Sequence, residues 1–489
     1  MAYIEGLDRL QFSLTEMFSF ENLISEDNPI RAIDAFVNKL NLEELGFVVY
    51  SGDKRGQKPY KTSDLLKIHL YCFYNGIQSS RKQERECARN IELIWLTGNL
   101  KPDHSTIATF FKDNGPAIKK VFKEFANLCK KLELYSFKLF AVDGTKIKAY
   151  CSKKKAFTKN KLNELLVNID KKIEEYSAKI DDENLDKDDV ASFKEKLKLI
   201  NERKVEYTAL KDKMEKENLN EICVTDPDSK VMKNHQNVEP CYNVQSVVDS
   251  ENKLILDYDV TNQANDVGLL KPMVDKVLED FELDKHLEEH PDHELTITAD
   301  TGYYKAEDML ELNTDKVHAL VPKAKTSNST GEQQFAKDNF EYDKEQDCYI
   351  CPAKRQLPFS RKSTETRNGK STTYKIYTCS SCSNCEYFNK CTKSPSGRSI
   401  KRHPNEDKLE EFEKAYKSDS SLYRLRKAIV EHPFGTIKRS LGLTHVYIKG
   451  IERVSAWAAS AFLAYDLKRI INILGVKELI AKLDTLMAV

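Results

Sequence analysis

At about residue 132 the apolar residues of this 489-residue chain change their spacing. Upstream they recur every three or four positions, and downstream they come in short strand-like runs. Leu65, Leu66, Ile68, Leu70 and Phe73 lie in one apolar segment that ends near Gly76. PDHSTIATFF (102–111) offers Asp103 or Ser105 as a helix cap, and PAIKKVFKEFANLCKKL continues with helical spacing. After the change, FKLFAV (137–142) and TKIKAY (145–150) flank Asp143-Gly144 as a strand–turn–strand signature. CYNVQSVVD (241–249), KLILDYDV (253–260), ELTITAD (294–300) and HALVP (318–322) read as further strands, with helices expected after Asp266 and near Lys305. The pattern demands an α/β fold: a mixed sheet with helices, preceded by a helical region. At this length one core is too few, and two to four units are expected.

Two insertions interrupt the sheet. Residues 158–220 are highly charged, with Leu162, Leu165, Ile169 and Ile173, then Leu197, Ile200, Leu210 and Met214, near helical spacing around the acidic break DDENLDKDD (181–189). That pattern predicts an antiparallel helical hairpin. Residues 339–400 are rich in cysteine, serine and threonine and read as an insertion without a core of its own. The expected divisions are a helical region (1–132), a sheet-forming region in three pieces (133–157, 221–338, 401–450), the two insertions (158–220, 339–400) and a C-terminal helical segment (451–489).

Lys+Arg and Asp+Glu balance at 77 each, so net charge identifies no partner. Distribution says more. Lys354 to Arg402 carries twelve Lys and Arg against only Glu365 and Glu386, and Lys146 to Lys161 is a second basic stretch. Such patches suit a phosphate backbone. No apolar run approaches the roughly 18 residues of a membrane span. Met1 to Leu10 carries Glu5, Asp8 and Arg9 and does not read as a secretory leader. A cytoplasmic, nucleoid-associated protein is expected.

Three acids stand out. Asp143 ends an apolar run, although Asp-Gly alone reads as a hairpin turn. Asp300 ends another strand, the place where α/β sheets set their ligands. Glu431 lies in SLYRLRKAIVEHPFGTIKRSLG, where a helical wheel puts Arg424, Lys427, Glu431 and Lys438 on one face and Leu422, Leu425 and Ile429 on the other. Pro433 should kink or restart that helix. Two acids on strands and one on a facing helix suit magnesium, which takes oxygen ligands and keeps several waters. Asp266 reads as a helix cap and Asp226-Pro-Asp228 as a turn.

Of twelve cysteines, six cluster as Cys348-x2-Cys351 and Cys379-x2-Cys382-x2-Cys385-x5-Cys391. Paired C-x2-C turns are typical thiolate knuckles for structural zinc in a reducing compartment. Six exceed one four-coordinate site, and spacing alone equally pairs Cys348 and Cys351 with Cys382 and Cys385.

AVDGTKIKAY, TADTGYY and YRLRKAIVEHPFGTIKRSLG resemble the three signature segments of bacterial insertion-sequence DDE transposases. NPIRAIDAFV (28–37), PDHSTIATFF, TDPDSKVM (225–232) and the cysteine-rich insertion resemble one large branch of that family. The resemblance covers nearly the whole chain. It implies a ribonuclease H-like catalytic fold, Asp143, Asp300 and Glu431 as catalytic ligands of Mg2+ or Mn2+, and zinc on Cys351, Cys382, Cys385 and Cys391, with Cys348 and Cys379 as alternatives. It also implies terminal inverted repeats and target DNA as partners, a homodimer on DNA, and DNA contact through Arg424, Lys427 and Lys438. The family's Tyr–Arg–Glu–Lys signature is met by Tyr423, Arg426, Glu431 and Lys438, but Arg426 is one residue too far from Glu431, and Lys427 has the expected spacing. A nuclease without strand transfer, or a zinc-containing DNA-binding protein without catalysis, would carry the same motifs.

Overall fold

The computed structural model describes residues 20–48, 58–181, 186–234, 236–324, 330–367, 370–418 and 420–486. The protein is mixed α/β and divides into two compact units. The first comprises Met1–Asp266, Met273–Asp284 and Lys427–Val489; the second comprises Val267–Pro272 and Lys285–Arg426. No helix among the described residues is long and apolar enough to cross a membrane.

The first unit is organised around the helix Ile451–Leu474. Its residues Val454 and Ala456–Leu467 are all buried, as expected of a helix that is apolar on every side. It packs against helices Thr62–Tyr74 and Gly115–Lys131 and against strand Ile255–Thr261. The segment expected as C-terminal and helical is the hub that joins the N-terminal helices to the sheet. Each large apolar side chain it buries contributes about 1.5–3 kcal/mol. Asp103 caps its helix, accepting from the Thr106 amide at 2.8 Å.

The sheet of this unit is antiparallel. Strand Leu139–Lys148 pairs with the long strand Asn237–Asp249, with Asp143 opposite Ser246 and Gly144 opposite Gln245. The long strand also pairs with Ile255–Thr261 and with Lys230–Asn234. The turn expected at Asp143-Gly144 does not form. The strand runs through both residues, because a full-length partner offers it a continuous ladder that outweighs the local turn preference of Asp-Gly.

Between strands Ala156–Thr158 and Glu221–Cys223, helices Lys159–Ile180 and Lys187–Lys216 pack along each other. Phe157, Leu162, Met214 and Ile222 close the base of this pair. Most of the DDEN part of the acidic break, residues 182–185, lies outside the described residues.

In the second unit strands Leu295–Thr298 and Val317–Leu320 are parallel and joined through helix Ala306–Leu312. A separate five-stranded antiparallel sheet follows, ordered Ser399–Arg402, Lys370–Thr378, Gln356–Arg367, Cys348–Ile350, Glu341–Asp343. The expectation of a coreless insertion is wrong. Phe340, Tyr349, Leu357, Tyr377, Cys379 and Ile400 form a buried cluster under that sheet. Three rings, Phe340, Tyr349 and Tyr377, supply much of it, so few aliphatic residues are needed.

Candidate active site

Asp143 lies where its strand opens. Phe140, Ala141 and Val142 are buried, whereas Asp143 to Lys146 are half-buried. Its carboxylate accepts from the Gly144 amide at 2.9 Å. Side chains alternate across a strand, so Gly144 faces the other way, where a Cβ would come within 2.2 Å of Gln245 Nε2. The glycine thus leaves room for a polar brace. Gln245 donates to Asp266 at 2.9 Å, Asn243 donates to it at 2.6 Å and Lys146 at 3.3 Å. Asp266 caps no helix, contrary to the sequence reading. The next helix starts at Leu270, and the Asp266 carboxylate is held by Asn243 and Gln245 of the partner strand Asn237–Asp249 and by Lys146 of the Asp143 strand. Gly144→Ala should strip Gln245 from its buried partners and cost about 2 kcal/mol, read as a lower denaturation midpoint. An unchanged midpoint would mean that Gln245 moves aside freely.

Glu431 is carried by helix Ser420–Gly435, which continues without interruption past Pro433 into a π-turn, Thr436–Ser440. The helix does not restart at Pro433. The π-turn that follows is a common means of absorbing disturbed helical bonding. The predicted buried stripe is also only partly present. Ile429, Val430 and Phe434 are buried, but Leu425 is 50% exposed and Leu422 is exposed as well. The last turns pack against the hub helix, with Phe434 against Phe462 and His432 sharing a 2.8 Å hydrogen bond with the Tyr465 hydroxyl. His432 is thereby a structural contact. Glu431 is 64% exposed, with Lys427 at 3.6 Å.

Several bonds tie the end of this helix to the Asp143 strand. Lys438 donates to the Lys146 carbonyl at 3.1 Å, and burial pulls its ammonium pKa down. The Val446 amide donates to the Lys148 carbonyl at 3.0 Å, and the Lys148 amide to the Thr444 carbonyl at 3.3 Å. Lys438 is therefore engaged with backbone. Arg424 and Lys427 are exposed, and the Arg426 guanidinium lies 5.8 Å over the Tyr423 ring.

Asp300 stands two residues beyond its strand. It is half-buried and accepts from the Gly302 amide at 2.7 Å, which shapes the turn Thr301–Tyr303. All three acids reach water and offer oxygen ligands, so their chemistry suits a hydrated divalent cation. Among the described residues, however, no group of three or more His, Cys, Asp or Glu is gathered closely enough to hold a metal ion.

The cysteines divide into two sets. Cys351, Cys382, Cys385 and Cys391 line one cavity of about 20 Å3, room for about one water-sized body. Cys348 and Cys379 do not line it. Cys348 is buried in a strand between Asp343 and Pro358, and Cys379 belongs to the core cluster. Burial pushes the Cys382 thiol up to about 11 and raises Cys391. Four thiols around an atom-sized cavity suit zinc in donor type, although they border the space without converging on a point.

Residues 350–471 match the family model described as Transposase DDE domain, and residues 18–113 match a second model described as Transposase domain. The recognised domains are those of transposases. A DDE domain implies an enzyme of DNA transposition. The DDE match takes in Glu431, Lys438 and the cavity cysteines; Asp143 and Asp300 lie outside it. No curated protein matches. A cryo-EM structure of a piggyBac transposase synaptic complex with hairpin DNA is similar at 9% identity, over 94% of this chain and 79% of that one, with a TM-score of 0.31. A likeness that slight supports no argument.

Asp226-Pro-Asp228, expected from sequence as a turn, does more. Asp226 is fully buried and accepts from the Tyr242 hydroxyl at 2.8 Å and from the Gly450 amide at 3.1 Å. Asp228 accepts from the Ile451 amide at 3.0 Å. Together they satisfy and charge-stabilise the N-terminus of the hub helix. Burial raises the Asp226 carboxyl pKa. The sequence signal was the acidic pair itself. Its partner, more than 200 residues away, was not visible.

Proposed function

We propose that this chain is a DDE transposase that cuts DNA at the ends of its own element and joins the released ends to target DNA. Asp143, Asp300 and Glu431 are its catalytic residues and would hold Mg2+ or Mn2+, in a ribonuclease H-like catalytic fold. The observation that carries the reading is the setting of Asp143. It is a water-accessible carboxylate at the point where the buried first half of its strand opens to water, in a chain with two transposase domains, and the strand is bonded to the segment that follows Glu431. The metal, when bound, supplies an activated water and neutralises charge at the phosphorus. The protein's share is positioning. The Asp143 strand is braced from below through Asp266 and from the side through Lys438, which holds the carboxylate against drift.

Zinc on Cys351, Cys382, Cys385 and Cys391 would be structural, since four thiolates leave no position for water. Arg424 and Lys427, exposed beside Glu431, would meet phosphates, with Lys438 bracing the site from behind them. The N-terminal helices would read the terminal repeat, and two copies would act together on paired ends.

The test uses the purified full chain, a duplex carrying the inverted repeats that flank its gene, and Mg2+. Nicking at the repeat boundary followed by joining to a second duplex is the expected result. Nicking without joining would leave a nuclease, and specific binding without nicking a non-catalytic binder.

A further inference from the structure

Four cations of the second unit, Lys323, Lys337, Arg398 and Lys401, line one surface-open cavity of about 320 Å3. Glu406 lies among them, 5% exposed. Lys323 donates to it at 3.1 Å, Lys337 at 3.0 Å and the His403 amide at 2.9 Å. Burial would raise its carboxyl pKa, but the two ammonium groups outweigh burial and hold it at about 2. One carboxylate therefore serves two ammonium groups. Lys401 pairs with Glu365 at 2.5 Å and lies 3.6 Å over the Tyr374 ring. Arg398 Nε is shielded from solvent with no hydrogen-bond partner in the protein. Glu406 and Glu365 are the carboxylates bonded to these four cations, with Glu413 acting on Lys323 at longer range, so the ion-paired acids are fewer than the cations. Burial also lowers the ammonium pKa of Lys337, with Lys323 and Arg402 adding repulsion.

Partly buried, under-compensated cations are costly unless an anion joins them. Guanidinium and ammonium groups lining one cavity match the several acceptor oxygens of a phosphate. The cavity is far larger than a free phosphate needs, and Tyr304 and Tyr374 form an aromatic wall beside the cations. Phosphate, sugar and base together would occupy such a space, with the base or sugar against the rings.

We propose that this cavity binds a phosphate group of a DNA strand. The proposal rests on the transposase reading and adds a DNA contact that none of Asp143, Asp300 and Glu431 lines.

The test is the affinity of the full chain for a labelled single strand and a labelled duplex, measured against salt without divalent metal. The variants are Lys337→Gln, Arg398→Gln and Ser399→Glu. Ser399 is exposed at the cavity's edge, so its replacement adds a repelling charge without removing a buried partner. Each variant should bind about tenfold more weakly. Each should flatten the log–log salt slope by about 0.7 on single strands or 0.9 on duplex for the phosphate lost. Circular dichroism checks folding, and Ser399→Glu carries the test if the other two misfold. Unchanged affinity and slope in folded variants overturn the proposal. Displacement of a labelled inorganic phosphate by these changes, with DNA affinity intact, would assign the cavity to free phosphate and equally overturn it. Nicking by the wild-type chain is scored separately. Its absence with variant-sensitive binding would sink the transposase reading alone, and its presence with variant-insensitive binding the cavity alone.

Discussion

Asp143→Asn is expected to abolish metal-dependent nicking of terminal-repeat DNA while leaving DNA affinity within about twofold of wild type. The replacement is nearly isosteric and keeps an oxygen for the Gly144 amide that now donates to the carboxylate at 2.9 Å. The strand and its brace should therefore survive. What is lost is a negative oxygen ligand, and ligand-held metal ions supply several kcal/mol of transition-state stabilisation. At 1.36 kcal/mol for each factor of ten, the rate should fall on the order of a thousandfold or more. The measurement is single-turnover nicking with Mg2+ and with Mn2+, alongside anisotropy binding and a denaturation curve. Nicking within tenfold of wild type would remove Asp143 from the catalytic assignment. Equal losses of nicking, affinity and stability would make it a structural residue.

What could be read in the sequence follows how local each signal was. Asp103 was legible as a cap because the cap bond reaches only to Thr106. The hairpin helices were legible because their apolar spacing recurs within one turn. Asp143-Gly144 was misread as a turn because the reason for the glycine is Gln245, a hundred residues away on the partner strand. Asp266 was misread as a cap for the same reason: Lys146, Asn243 and Gln245 claim its carboxylate. Periodicity over the Glu431 helix predicted one continuous buried face. Leu422 and Leu425 are exposed and lie ahead of the last turns, which meet the hub helix, and a wheel cannot say where along its length a helix finds a partner. The insertion's core is hard to see in the sequence because it is built from single rings, Phe340, Tyr349 and Tyr377, scattered through a polar stretch with no recurring apolar spacing.

Zinc removal gives the second large expected effect, and it should be local. Protein purified without added metal should carry about one zinc per chain. Replacing Cys351, Cys382, Cys385 and Cys391 together by Ser should eliminate it. Cys348→Ser should not, because that thiol lies in a strand away from the cavity the other four share. Zinc in peptide knuckles contributes about 10–16 kcal/mol of apparent binding free energy. Most of that would be spent here on drawing the four thiols together and ordering the turns Cys382–Asn384 and Phe388–Cys391. The five-stranded sheet has its own buried cluster, so chelation should leave far-UV circular dichroism nearly unchanged. Amide protection should collapse across 379–391 and persist in the strands Gln356–Arg367 and Lys370–Thr378. Because Cys382 and Cys391 have raised thiol pKa values in the absence of metal, binding must release protons, and affinity should fall as pH is lowered. Loss of protection throughout the sheet would mean that the metal, and not the aromatic cluster, holds the insertion together. Full zinc occupancy in the four-serine variant would move the site to Cys348 and Cys379 or to other donors. Absence of zinc from wild-type protein would leave the four thiols as an ordinary buried pocket.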